Sequence, residues 1–183
     1  MADRARFLVL AAAALMGSLT ACAPMYGPPP PRRVTSLPPP SEDTSFRAGD
    51  FAWSRAPGRN ALIGTVTYRS GPVRYSCAGA TVILTPETPW SRKRMTVLYQ
   101  SAERSALPTA DVRSRTSQAP AGNDDAYVKR AACDASGRVS FSGLPDGAWY
   151  AVTLAKPVGG PGPGLAMMRR VVTRGGRATT FEF

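Results

Sequence analysis

Apolar and polar positions alternate in short runs along residues 59–183, and no run of useful length repeats every 3.6 residues. Period-two alternation is the pattern of a strand with one buried face. Ala61–Tyr68 places Leu62, Val66 and Tyr68 on one side, and Ala80–Thr85 (ATVILT) is a β-branched run suited to a pleated surface. Met95–Tyr99 alternates weakly, and Ala126–Ala132 is a further strand candidate. Asp134–Gly137 reads as a tight turn, after which Val139 and Phe141 alternate. Leu144-Pro-Asp-Gly147 puts Pro and Gly where turn geometry uses them. Tyr150, Val152 and Leu154 then share one face. Leu165–Val172 and Thr179–Phe183 flank Arg174-Gly-Gly-Arg177, which predicts a hairpin. Seven or eight short strands in about 125 residues predict an all-β sandwich, large enough to bury a core.

The opening residues have another pattern. Arg4 and Arg6 precede an apolar run of eleven residues, Phe7–Gly17. That is too short for a stable bilayer span and has the length and flank of a secretory leader. Leu19-Thr-Ala-Cys22 follows directly, and it resembles the lipobox of bacterial lipoproteins. The resemblance implies removal of residues 1–21 as a signal peptide and lipidation of Cys22. With Ala23 rather than Asp next, it also implies sorting to the outer membrane of a Gram-negative host, on its periplasmic or surface side. Ala21-Cys-Ala23 also fits an ordinary secretory cleavage after Ala23. If Cys22 is acylated, the chains hold the protein on a membrane at about 0.8 kcal/mol per buried CH₂.

From Pro24 to Pro40, eight of seventeen residues are proline. Such a segment forms neither helix nor sheet ladder and is expected as polyproline II, reaching roughly 50 Å. A spacer is the expected role, with a ligand for a polyproline-reading groove as the alternative. Residues 41–58 stay polar and Gly/Pro-marked, so the whole of 22–58 reads as tether, with Phe46, Phe51 and Trp53 either docking back or loosely ordered.

Three segments together resemble the carboxypeptidase regulatory-like family: Gly64-Thr-Val66, Gly79-Ala-Thr-Val-Ile-Leu84, and Asp134-x-x-Gly137-x-Val139-x-Phe141-x-x-Leu144-Pro145-x-Gly147-x-x-Tyr150. The resemblance implies a transthyretin-like (prealbumin-like) β-sandwich of about seven strands over residues 59–183. It implies that Phe141 fills the core and that Tyr150 and Val152 return inward. It implies no peptidase activity, because the catalytic domain that this module accompanies elsewhere is absent. Residues 86–125 depart from the family as a long Ser/Arg/Pro-rich insertion, either a functional or a disordered loop. Cys77 and Cys133 sit beside turns at strand ends, and an exported domain with two remaining cysteines is expected to bridge them. The alternative is two free buried thiols.

Composition narrows the chemistry. The chain has 183 residues, 23 Lys+Arg against 12 Asp+Glu, and no His. Without His there is no Ser-His-Asp or Cys-His machinery and no His-ligated metal, and three Cys exclude a Cys₄ zinc site. Asp124-Asp125, Asp134 and Asp146 read as turn residues rather than paired catalytic acids, and Asn123-Asp-Asp125 has no calcium-loop spacing. Lys93, Lys129 and Lys156 follow no Ser-x-x-Lys pattern, and Gly159–Gly164 is broken by Pro and is no phosphate loop. The expectation is a non-enzymatic protein with no cofactor and no metal. The formal net charge is +11, and Arg outnumbers Lys twenty to three. Arg92-Lys93-Arg94 beside Trp90 is the densest cluster, with Arg169-Arg170 and Arg174/Arg177 near the C-terminus. Guanidinium forks suit phosphates and carboxylates. In an envelope these belong to lipid headgroups, lipopolysaccharide or peptidoglycan; export argues against nucleic acid. The sequence therefore predicts a structural or interaction module for an envelope protein or anionic polymer. The alternative is a glycan- or small-ligand-binding module using Trp90 and Trp149. Arg richness as mere surface solvation is the third reading.

Overall fold

The computed structural model describes residues 43–183. The predicted signal peptide, Cys22 and the Pro24–Pro40 segment lie outside the described residues. The described chain is mostly strand and forms two sheets. In the smaller, β1 (Asn60–Thr65) runs antiparallel to β7 (Arg138–Leu144) and parallel to β10 (Ala178–Glu182). The larger sheet contains β2 (Thr67–Ser70), β3 (Val73–Ser76), β4 (Thr81–Pro86), β5 (Arg104–Pro108), β6 (Lys129–Ala132), β8 (Gly147–Pro157) and β9 (Leu165–Thr173). Ten strands thus replace the seven or eight expected, and the last candidate before Cys133 starts at Lys129 rather than Ala126.

The sheets face each other across one apolar core, as a sandwich. Leu62, Val139, Phe141 and Phe181 from the smaller sheet meet Val82, Leu84, Trp149, Ala151 and Met167 from the larger. Gly64 lies under the Phe181 ring: a Cβ there would sit 2.5 Å from Phe181 Cζ and 2.9 Å from Val139 Cγ1. The close approach explains why this central strand carries a residue without a side chain. Cys77 and Cys133 form a disulfide at the edge of the core, with Cα atoms 5.8 Å apart. Their backbones are already tied, since Cys133 N–H donates to Ala80 O at 2.8 Å and Gly79 N–H to Cys133 O at 3.2 Å.

Several expectations are corrected. Arg174–Arg177 is no hairpin: β9 pairs with β5 and β8, whereas β10 crosses to pair with β1. Local turn residues predict a reversal but not whether the returning strand stays in the same sheet. Tyr150 and Val152 do not face the sandwich core either. In β8 that face belongs to Trp149, Ala151 and Ala155, while Tyr150 and Val152 point to the outer surface of the larger sheet. Around Tyr150 and Val152 both faces of β8 are covered, so alternation alone could not tell which set was inward.

The covering layer is the insertion. Residues 86–125 are folded, and Met95–Tyr99 lies in a helix, α1 (Pro89–Tyr99). The Thr88 hydroxyl accepts from Ser91 N–H and the Ser91 hydroxyl accepts from Thr88 N–H, a capping box with Pro89 in the first turn. Met95, Leu98 and Tyr99 stand at i, i+3 and i+4 and pack on Tyr150, Met168 and Ala166. Gln100, at φ 56°, ends the helix, and β5 then joins the larger sheet beside β9, followed by a short helix, α2 (Thr109–Ser114).

Residues 43–58 also belong to the compact domain rather than to a tether. Ala48–Arg55 is a 3₁₀ helix whose Phe51 is fully buried. The Phe51 ring lies 4.8 Å from Tyr127, 5.2 Å from Phe46 and 5.9 Å from Trp90. Trp53 packs 4.9 Å from Trp149, centroid to centroid. Polar composition concealed this strap because its few aromatic residues carry the docking.

Candidate functional site

The sequence-adjacent cations Arg92, Lys93 and Arg94 do not converge. Successive positions on an α-helix point about 100° apart, and α1 sends the three in different directions. Arg92 pairs with Glu87. Arg94 Nη1 donates to Pro120 O at 2.9 Å, and its guanidinium sits 5.4 Å from the Trp90 ring. Lys93 is exposed. Glu87 also receives Arg170 Nε at 2.8 Å and the Tyr150 hydroxyl at 3.2 Å. Burial and then the Glu87 charge push the Tyr150 hydroxyl well above the ordinary phenol range. Arg170 is in turn held above its ordinary value, first by its bond to Glu87. This is an internal network that fastens α1 to the sheet, and it occupies two of the arginines that sequence reading offered to a ligand.

The aromatic platforms are unavailable. Trp90 and Trp149 are 1 % and 0 % exposed. Trp90 Nε1 donates to Ala121 O at 3.0 Å and Trp149 Nε1 to Thr173 Oγ1 at 3.1 Å. Both are core residues that cannot stack on a ligand. The acids are dispersed. Asp134 accepts from Arg138 N–H, Ser136 N–H and the Ser136 hydroxyl at 2.7–2.9 Å, and these bonds, led by that from Arg138, hold its carboxyl below the usual range. Asp146 accepts from Asn60 Nδ2 and Gly175 N–H, bracing the 57–60 and 174–177 loops. Asp125 pairs with Arg130 at 2.8 Å. Among the described residues, no three Cys, Asp or Glu side chains form a metal-sized cluster.

Register builds a different constellation. Arg69 stands directly opposite Arg74 in the β2–β3 pair, and Ser76 stands opposite Lys156 in the β3–β8 pair. Since same-face positions recur every two residues, Arg69, Arg74 and Lys156 share the outer face of the larger sheet. No Asp or Glu occurs in β2, β3, β8 or residues 158–164, and none of the three cations has an ion-pair partner among the described residues. Like charges directly opposite are unfavourable by up to about 1 kcal/mol, so the arrangement is not explained by stability.

Two clefts adjoin these cations. One of about 500 Å³ lies between Arg69, Arg74 and the Val158–Pro161 loop. The other, about 370 Å³, holds Lys156 and Leu154 and shares Pro157, Gly160 and Pro161 with the first. Val73, Val158 and Leu154 are 37 %, 47 % and 51 % exposed, giving the shelf an apolar margin. Gly159 and Gly160 leave open space where side chains would stand, so a ligand can approach the backbone. Sequence reading missed this shelf because Arg69, Arg74 and Lys156 are scattered singly along the chain; only strand register unites them.

No protein-family model matches the chain, and no curated protein does. Among solved structures, one described as a "putative carbohydrate binding protein" from Pseudomonas aeruginosa aligns with a TM-score of 0.58 at 19% identity, covering 75% of this chain and 96% of that one. The minor pilin of Streptococcus agalactiae aligns with a TM-score of 0.32 at 16% identity, over 72% of this chain and 44% of the pilin chain. The first likeness is one of fold: a β-rich domain of the same extent.

Proposed function

We propose that this protein is a non-enzymatic binding module of the bacterial envelope whose cationic shelf holds an anionic glycan. The observation that carries the reading is the convergence on one face of Arg69, Arg74 and Lys156, which have no ion-pair partner among the described residues and no Asp or Glu in the strands that carry them. Guanidinium and ammonium donors on an open shelf suit phosphate or carboxylate groups along a polymer. The glycan class is supported by what the Pseudomonas aeruginosa neighbour is described as binding. The lipobox-like Leu19–Cys22 supports lipid anchoring to the outer membrane through Cys22, with Pro24–Pro40 as spacer. The Asp134–Tyr150 motif supports a transthyretin-like, carboxypeptidase regulatory-like sandwich through Phe141, which lies in the core as the motif implies, although Tyr150 turns outward.

The test is binding of a soluble chain starting at residue 23 to purified lipopolysaccharide and to peptidoglycan, at low and high salt. The two polymers separate phosphate from carboxylate recognition. Exposed charge contacts are worth about 0.2–1 kcal/mol each. Replacing Arg69, Arg74 and Lys156 together by Ala is expected to weaken binding by roughly tenfold or more, whereas Lys93→Ala leaves it unchanged. Equal binding by the triple variant, or binding that is indifferent to salt, overturns the shelf as the site.

A further inference from the structure

α1 leaves a third, smaller recess against the outer surface of β4, β6 and β8. The groove is about 230 Å³. Ile83 and Val152, directly paired across β4 and β8, form an aliphatic floor. Arg94 and Tyr99 of α1 line one wall, and Asp124 and Arg130 line the other. None of these residues belongs to the cationic shelf, so this site stands or falls independently of the anionic glycan reading.

The chemistry of the groove differs from that of the shelf. Its charges balance: Arg130 pairs with Asp125 at 2.8 Å, and Arg94 lies close enough to favour the ionised form of Asp124. An anion entering here would meet Asp124 and Asp125; a cation would meet Arg94 and Arg130. A purely apolar ligand would desolvate four polar side chains without replacing their hydrogen bonds. Burial raises the affinity of Asp124 for a proton, with the Thr85 hydroxyl of the same groove acting the other way, so further hydroxyl donors would favour its charged form. An aliphatic floor with acceptor and donor groups at its rim matches a sugar ring, which has an apolar C–H face and hydroxyls around its edge.

We infer that the groove between α1 and the outer sheet face binds one uncharged sugar residue, with Asp124 accepting from its hydroxyls, Arg94 and Arg130 donating to them, and Ile83 and Val152 beneath the ring. The insertion creates the site. Without α1 the same sheet surface would be an open face, and without the 115–125 segment, fastened through Arg94 to Pro120 O and Trp90 to Ala121 O, Asp124 would have no fixed place.

The experiment is an amide-shift titration of the soluble chain from residue 23 with glucose, galactose, mannose and N-acetylglucosamine separately. At least one is expected to give saturable shifts centred on Ile83, Asp124 and Val152, with an affinity that salt leaves unchanged. Asp124→Asn, which keeps size and backbone bonds, should weaken that sugar about tenfold or more, while the melting temperature stays level or rises. Arg69→Ala with Arg74→Ala should leave the sugar affinity untouched. Saturation by none of the four, shifts centred on the shelf, or preferential binding of a simple aliphatic alcohol would each overturn the assignment.

Discussion

Replacing Phe51 by Ala tests whether the strap before β1 is part of the folded unit. Phe51 is fully buried among Phe46, Trp90 and Tyr127, although it lies in a segment whose composition resembles a linker. Losing a buried Phe side chain forfeits about 1.5–3 kcal/mol of transfer free energy. The cavity left behind adds to this, because Trp90 is fixed by its bond to Ala121 O and cannot close the gap. The sum falls in the range of about 3–5 kcal/mol for Phe→Ala in a core. For a domain of this size that is roughly a 10–15 °C loss in Tm. Phe46→Ala, at a half-buried position, should cost about 1 kcal/mol. The assay is urea unfolding of the soluble chain from residue 23, followed by circular dichroism and by tryptophan fluorescence. Coincident transitions would validate a two-state reading. The cost cannot exceed the free energy of undocking the strap alone, so a small effect has a definite meaning. A loss below about 1 kcal/mol, or equal stability of a chain starting at residue 59, would show that the strap opens independently and refute its inclusion in the core.

The Cys77–Cys133 bridge closes a loop between residues 56 apart, which the chain-entropy treatment values at about 4 kcal/mol; unfolding with and without reductant should differ by about that amount, and identical midpoints would show that the bridge does not restrain the unfolded chain. Burial pushes the Tyr99 hydroxyl up to about 12 from 10.0. The unfolded chain then loses its phenolic proton first, so stability is level below pH 10 and falls as pH rises from 10 towards about 12, by at most about 2–3 kcal/mol. Tyr99→Phe should flatten that alkaline slope, leaving the part due to Tyr150, and an unaltered slope would refute the assignment.

The strand pattern and the principal turns were readable because they are local. Leu62, Val139 and Phe141 alternate with polar neighbours, and Asp134–Gly137 has turn chemistry that needs no distant contact. α1 was also encoded locally, through Thr88-Pro-x-Ser91 and the spacing of Met95, Leu98 and Tyr99, but a weak alternation over the same residues obscured it. The strap was hidden differently. Phe46, Phe51 and Trp53 show no period, and their burial depends on Trp90, Tyr127 and Trp149 arriving from elsewhere.

The site residues mark the same division. Sequence proximity joined Arg92, Lys93 and Arg94, and helix geometry separated them. Pairing of β2 with β3 and of β3 with β8 brought Arg69, Arg74 and Lys156 to one face, although 87 positions separate the first from the last. Residue chemistry and local periodicity thus established a basic, His-free, strand-rich chain with two cysteines placed to bridge. The sheet each strand joins, the covering of Tyr150 and Val152 on the outer face of β8 and the location of unpaired charge were settled by long-range register and packing. Those depend on which distant surfaces exclude water together, and no local window contains both partners.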